Sequence, residues 1–161
     1  MVLVSIEESP PDFHVRVAGP ADHAQVVALL EELFDEIAPP EDRASCKQAL
    51  GPDIAQALAS PDVRLFLAEH QGQLIALVRV DVLSNTAAFR LRADRRCGYI
   101  DQMVVRPAWR RRAVGRQLMQ LCEGWLRQQG VSHCMLHAAP KALSFYTRAG
   151  YQSTRELFKK L

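Results

Sequence analysis

The chain has 161 residues, 48% of them hydrophobic and 24% charged, and a formal net charge of +2. That length and balance describe one soluble globular domain over residues 1–161, with residues 1–12 a flexible start, and are short for two cores. No apolar run reaches a membrane span, and Glu7 and Glu8 stand where a secretory leader would be basic, so a cytoplasmic protein without a membrane partner is expected.

Charge is unevenly spread along the chain. Residues 1–62 hold twelve Asp and Glu against three Arg and Lys, and residues 63–161 hold six against seventeen. Such a split suits two ligands of opposite charge, or two solvated faces. Cys46, Cys97, Cys122 and Cys134 share no metal-like or redox-like spacing, so no metal is expected and buried free thiols are the reading. Cys97 as an acyl-carrying nucleophile lacks a base near it in sequence.

Taken in order, Phe13 to Val17 alternates as a first strand. Pro20 and Asp22 open a helix whose Val26, Val27, Leu29, Leu30, Leu33, Phe34 and Ile37 form one apolar face, stopped by Ala38-Pro39-Pro40. Its other face carries Glu31, Glu32, Asp35 and Glu36. A second, weaker helix runs from Arg43 to Leu58 with an interruption near Gly51-Pro52. Val63–Glu69 and Leu74–Val80 flank Gln71-Gly72 as a hairpin. Ser84 to Arg96 reads as a polar, basic, mobile connection.

The stretch from Tyr99 to Arg116 organises the rest. An apolar strand ends at Pro107, an arginine-rich turn follows, and a helix continues through Leu118, Leu121, Cys122, Trp125 and Leu126. A strand feeding a turn feeding a helix presents unpaired N–H groups and the positive end of the helix dipole to an anion. Arginines at a helix start oppose that dipole, which favours an anion there over a bare basic surface. Beyond Gly130, residues 132–138 read as a strand, Pro140 opens a short helix to Arg148, Gly150 breaks it, and a last strand begins at Tyr151 with Phe158 inward.

Arg110-Arg111-Arg112-Ala113-Val114-Gly115, following Met103-Val104-Val105, resembles the pyrophosphate-binding motif of the GCN5-related N-acetyltransferases, Gln/Arg-x-x-Gly-x-Gly/Ala. Arg110 fills its first position and Gly115 its last, while Ala113 stands where the family usually has its middle glycine. Ala142-Leu143-Ser144-Phe145-Tyr146-Thr147-Arg148-Ala149-Gly150-Tyr151 is similar to the family's A-x-x-F-Y-x-x-x-G-F/Y signature, and the resemblance spans about residues 13–155. It implies an α/β fold with a mixed, mostly antiparallel central sheet of six to seven strands flanked by about four helices. It also implies acetyl-coenzyme A as acyl donor and a primary amine of a small molecule or peptide as acceptor. The amine would attack directly in a ternary complex, without metal or covalent enzyme intermediate. A homodimer is a further implication.

On the same resemblance, Met103, Val104 and Val105 would offer strand-edge groups to the pantetheine arm. Arg110, Arg111, Arg112, Ala113, Val114, Gly115 and Arg116 would wrap the pyrophosphate. Tyr146 would protonate the departing thiolate, against the alternative of a half-buried core tyrosine. Where many relatives carry an asparagine seven residues before that tyrosine, this chain has Ala139. Lys141 could reach a phosphate or simply be solvated.

The base is left open. Asp101 shares a face with Met103 and Val105 because strand side chains alternate, and it either takes the acceptor's proton, directly or through water, or pairs with Arg92, Arg95 or Arg96. His137 in the neighbouring strand is the second candidate. An acidic rim of Glu31, Glu32, Asp35, Glu36, Glu41 and Asp42 would draw a cationic amine, or be a solvated helix face. Two other functions compete: a non-catalytic acyl-coenzyme A-binding or regulatory module, and nucleic-acid binding through the nine arginines between Arg90 and Arg116. The second is disfavoured because few aromatics interleave with those arginines.

Overall fold

Apolar runs on either side of Gln71-Gly72 fold as the central hairpin of the computed structural model, which describes residues 12–84 and 96–154. The strands are β1 (His14–Val17), β2 (Val63–His70), β3 (Gln73–Ser84), β4 (Arg96–Val105) and β5 (Cys134–Leu136). The helices are α1 (His23–Ile37), α2 (Arg43–Ala59), α3 (Val114–Gln128) and α4 (Leu143–Arg148). Gln71 and Gly72 both take positive φ, 48° and 77°, the two-residue turn whose twist matches that of a hairpin.

The strands lie in chain order, β1 to β4 antiparallel and β4 parallel to β5. The mixed, mostly antiparallel sheet with four α-helices is as expected. The described residues supply five strands rather than six to seven, because residues 151–154 form no strand and the rest of the expected last strand, with Phe158, lies outside them. Residues 1–11 and the connection over 85–95 also lie outside. The second helix is continuous through Pro52. Pro52 is exposed, so the carbonyl it leaves unpaired meets water instead of being orphaned in the core. Among the described residues no helix is long and apolar enough to cross a membrane.

Alternation along β3 divides the core. Val78, Val80 and Val82 pack under α3 with Ile100, Leu118, Cys122, Trp125 and Leu126, whereas Leu77 faces Val26, Leu29, Leu30, Leu50 and Ile54 of α1 and α2. Cys97 and Cys122 are buried, Cys46 and Cys134 half-buried, and all four are free thiols. Desolvation holds the Cys122 thiol far above its ordinary range, so it stays protonated and inert.

Two irregularities in β4 place the site. The β3 register runs Val78 to Met103 and Val80 to Ile100, so Arg79 alone faces both Asp101 and Gln102 across a bulge. On its other side β4 pairs with β5 only over Gly98 to Ile100. From Asp101 to Val105 that side of β4 has no strand partner among the described residues, and the sheet is open there.

Candidate active site

The first element of the site is the start of α3. Val105 is followed by a 3-10 turn over Pro107–Trp109, and then by Arg111 and Ala113, both in the left-handed region at φ 65° and 61°. Ala113 is the N-cap and offers no side-chain acceptor to the helix. The first intrahelical bond of α3 runs from the Gln117 N–H to the Ala113 carbonyl at 3.0 Å, so the N–H groups of Val114, Gly115 and Arg116 precede the ladder and form an anion cradle. Arg111, Arg112 and Arg116 are exposed around it, and the Arg112 guanidinium lies 5.2 Å from the centre of the Trp109 ring.

Gly115 is needed for a close approach. A Cβ there would stand 3.2 Å from Met103 Cε and 3.3 Å from Phe145 Cζ, so both side chains would have to give by a few tenths of an ångström. This packing brings the two sequence signatures together. Tyr146, 9% exposed, directs its hydroxyl to Met103 Sδ at 3.4 Å and meets Phe145 and Tyr151 edge to face. A thioether is a weak acceptor, so the hydroxyl is readily redirected to a stronger one entering the cleft. Desolvation raises the Tyr146 phenol above its ordinary range, with Cys122 adding to the shift, and keeps it a proton donor.

Asp101 stands on the other face. Met103 and Val105 pack against the α3 core, but the bulge at Asp101 and Gln102 interrupts alternation and turns Asp101 toward Arg79 and Asp81 of β3 and Asp53 of α2. The shared face expected for Asp101, Met103 and Val105 is therefore corrected: Asp101 and Tyr146 flank the open edge from opposite sides. Of the cations expected for Asp101, Arg96 instead donates to the Gln129 carbonyl at 2.7 Å, and among the described residues the cation acting on Asp101 is Arg79. Arg92 and Arg95 lie outside the described residues. Partial desolvation raises the Asp101 carboxyl, Arg79 lowers it, and Asp81 and Asp53 raise it again; the net direction is up.

Sequence reasoning missed the Arg79 cluster, although one signal was there: a charge inside an apolar strand run, with its opposite two residues on along the same face. His137, the other base candidate, has Nδ1 2.6 Å from the Tyr99 hydroxyl, just past the last paired residues of β4 and β5.

Half of the acidic rim is paired with cations. Arg106 binds Glu32 bidentately at 2.7 and 3.1 Å, Arg110 reaches Glu36 at 2.7 Å, and Lys47 reaches Asp35 at 2.7 Å. Arg110 also donates through Nε to the Val105 carbonyl at 2.9 Å. Its guanidinium thus ties α1 to the turn and does not point freely into the cradle. The Arg110 pair holds the Glu36 carboxyl below its ordinary range, and the charge of Lys141 adds to the shift. Because Glu36 and Arg110 are both well exposed, their pair contributes at most about 1 kcal/mol. Glu36→Gln should leave the melting temperature nearly unchanged while tightening acetyl-coenzyme A binding several-fold by freeing Arg110, which calorimetry and thermal melts read together.

Residues 27–151 match the model of the acetyltransferase (GNAT) family. The chain belongs to the GNAT family. The aminoalkylphosphonate N-acetyltransferase of Salmonella typhimurium is 28% identical over 157 residues, 96% of this chain and 94% of that protein. A curated Bacillus subtilis relative is 25% identical over 97 residues, 60% of this chain, so that the match spans only 58% of that relative's length. A GCN5-related N-acetyltransferase from Ralstonia eutropha superposes with a TM-score of 0.81 at 23% identity, over 92% of this chain and 98% of its own. A predicted acetyltransferase from Clostridium acetobutylicum, crystallised with acetyl-coenzyme A, gives 0.79 at 22% identity over 92% and 96%. These structural likenesses show the GNAT fold. Among the described residues no group of three or more His, Cys, Asp or Glu is placed to hold a metal ion.

Proposed function

We propose that this GNAT chain transfers the acetyl group of acetyl-coenzyme A to a primary amine by direct attack within a ternary complex. One observation carries the reading: the Tyr146 hydroxyl sits on Met103, beside a strand edge that is unpaired among the described residues and leads to an uncapped, arginine-rich helix start. The cradle of Val114, Gly115 and Arg116 N–H groups, with Arg111, Arg112 and Arg116, suits a pyrophosphate. The open edge over Met103, Val104 and Val105 suits an extended amide-bearing arm. With the cofactor so laid, its thioester falls between Asp101 on one face and Tyr146 on the other.

The chemistry then assigns each group a proton. An ammonium acceptor gives one proton to Asp101, whose raised carboxyl is a better base than an ordinary aspartate. The freed nitrogen lone pair forms the C–N bond at the thioester carbon, and the carbon–sulfur bond breaks as the oxyanion collapses. Tyr146 gives its proton to the departing thiolate and recovers one from the acylated nitrogen. The products are the amide and free coenzyme A, with Asp101 releasing its proton to solvent.

The acceptor is a small amine. The Salmonella relative, similar over nearly the whole chain, is named for aminoalkylphosphonates, and such compounds are the first class to test. Thiol release from acetyl-coenzyme A, measured across aminoalkylphosphonates, polyamines, aminoglycosides, amino acids and short peptides, should show turnover on one class. Acetyl-coenzyme A binding without turnover on any class would favour a cofactor-binding module instead.

Replacing Arg111, Arg112 and Arg116 together by alanine should raise the acetyl-coenzyme A Michaelis constant by about tenfold or more at low salt and leave kcat little changed, since these charges contact a part of the cofactor remote from the thioester. Steady-state kinetics at two ionic strengths checks this. The same arrangement counts against nucleic acid. Arg106 and Arg110 are neutralised by Glu32 and Glu36, which breaks the basic run.

A further inference from the structure

Arg79 acts on Asp101 through its charge but gives it no hydrogen bond. It lies directly opposite the bulge, yet every one of its donor nitrogens is directed elsewhere. Nε and Nη2 bind the two oxygens of Asp81 at 2.8 and 2.9 Å, and Nη1 binds Asp53 of α2 at 2.7 Å. The guanidinium is largely buried, so the fork is held in one geometry, and among the described residues Asp101 receives no hydrogen bond from it.

We propose that Asp53 is a positioning residue that diverts Arg79 from Asp101, leaving the Asp101 carboxylate uncommitted and available to the acceptor's ammonium. The inference rests on the acetyl-transfer reading and deepens it by adding a residue that contacts neither cofactor nor reacting atoms. The physical case is one of competition. A hydrogen bond from Arg79 Nη1 to Asp101, across a bulge where one residue faces two, would commit the base to an ion pair and lower its proton affinity. Asp81 occupies Nε and Nη2. Among the described residues Asp53 is what occupies Nη1, the nitrogen otherwise free to turn to Asp101.

The charged groups acting on Asp101 are Arg79 and Asp81 of β3 and Asp53 of α2. On its own strand Tyr99 shares its face and is bonded to His137 beyond β5. Three carboxylates around one guanidinium also leave this side of the cleft net negative, the sign that favours an ammonium group over an anion.

The test uses Asp53→Asn, with Asp53→Glu as the conservative control, in the full chain. The carboxyl titration of Asp101 is followed by 13C NMR, assigned with Asp101→Asn, beside the pH profile of kcat/KM for the best acceptor. In Asp53→Asn the Asp101 titration should move to lower pH, and the acid limb of the profile should move with it. The value of kcat near neutral pH should fall several-fold while the acetyl-coenzyme A KM holds, and Asp53→Glu should restore all three. An unmoved Asp101 titration in a folded Asp53→Asn protein overturns the proposal whatever the enzyme's activity. A titration that moves while the acid limb stays overturns Asp101 as the base, and with it this device, while acetyl transfer itself is judged by turnover.

Discussion

Tyr146→Phe is expected to lower kcat by about 10²-fold or more while acetyl-coenzyme A still binds with nearly its original affinity. The substitution removes one oxygen whose only partner among the described residues is the Met103 sulfur, so the ring and its edge contacts with Phe145 and Tyr151 are kept. Little stability should be lost, because a weak O–H to sulfur bond is exchanged for a dry contact. The sign of the pH response follows from the raised phenol: the donor stays protonated through neutral pH, and the basic limb of kcat against pH lies above the ordinary tyrosine range or is absent. Rapid thiol-release assays with calorimetry on the same protein check both halves. A variant that loses binding as well as rate would mean that Tyr146 shapes the cleft and does not supply the proton.

The second large effect is on folding. Gly98 lies where β4 meets β5 and α3 crosses them, and a Cβ at that position would stand 2.7 Å from Leu126 Cδ2 and 2.9 Å from the Cβ of Cys134. Leu126 is buried and the Cys134 Cβ is fixed by its backbone, so neither yields cheaply. Gly98→Ala should cost about 3 kcal/mol, the upper end of what overpacking does, and Gly98→Val more. Against a total stability of roughly 5–15 kcal/mol, that is a large share of the fold. Urea unfolding monitored by tryptophan fluorescence measures it. Trp125 packs on the same layer as Leu126 and reports on it.

Much of this was legible because the signals were local. The apolar stripe of α3, the Gln71-Gly72 turn and the stop after Ile37 each follow from a few neighbouring residues, and the structure has them within a residue or two. The pairing of Tyr146 with the arginine-rich turn was legible only through two family signatures; nothing in either stretch alone says that they meet. Asp101 shows where such reasoning ends. Strict alternation puts it with Met103, and a single extra residue in one strand, specified by no turn residue, carries it to the opposite face. The fate of the acidic rim was hidden for a similar reason. Glu32 and Glu36 find Arg106 and Arg110 74 positions away, a separation at which charge pattern carries no information.

The open side of β4 has a consequence for what the molecule can admit. An exposed strand edge ordinarily invites other sheets to stack on, and proteins guard such edges with charge or proline. Here the edge is short: β3 pairs the other side of β4, β5 pairs it only as far as Ile100, and the Tyr146 hydroxyl meets Met103 within the remaining stretch. A sheet added there would gain only a few ladder bonds. A single extended chain of amide bonds needs no more than that. The arm of the proposed cofactor, laid along this edge, would take up the same backbone groups that a neighbouring strand would otherwise claim.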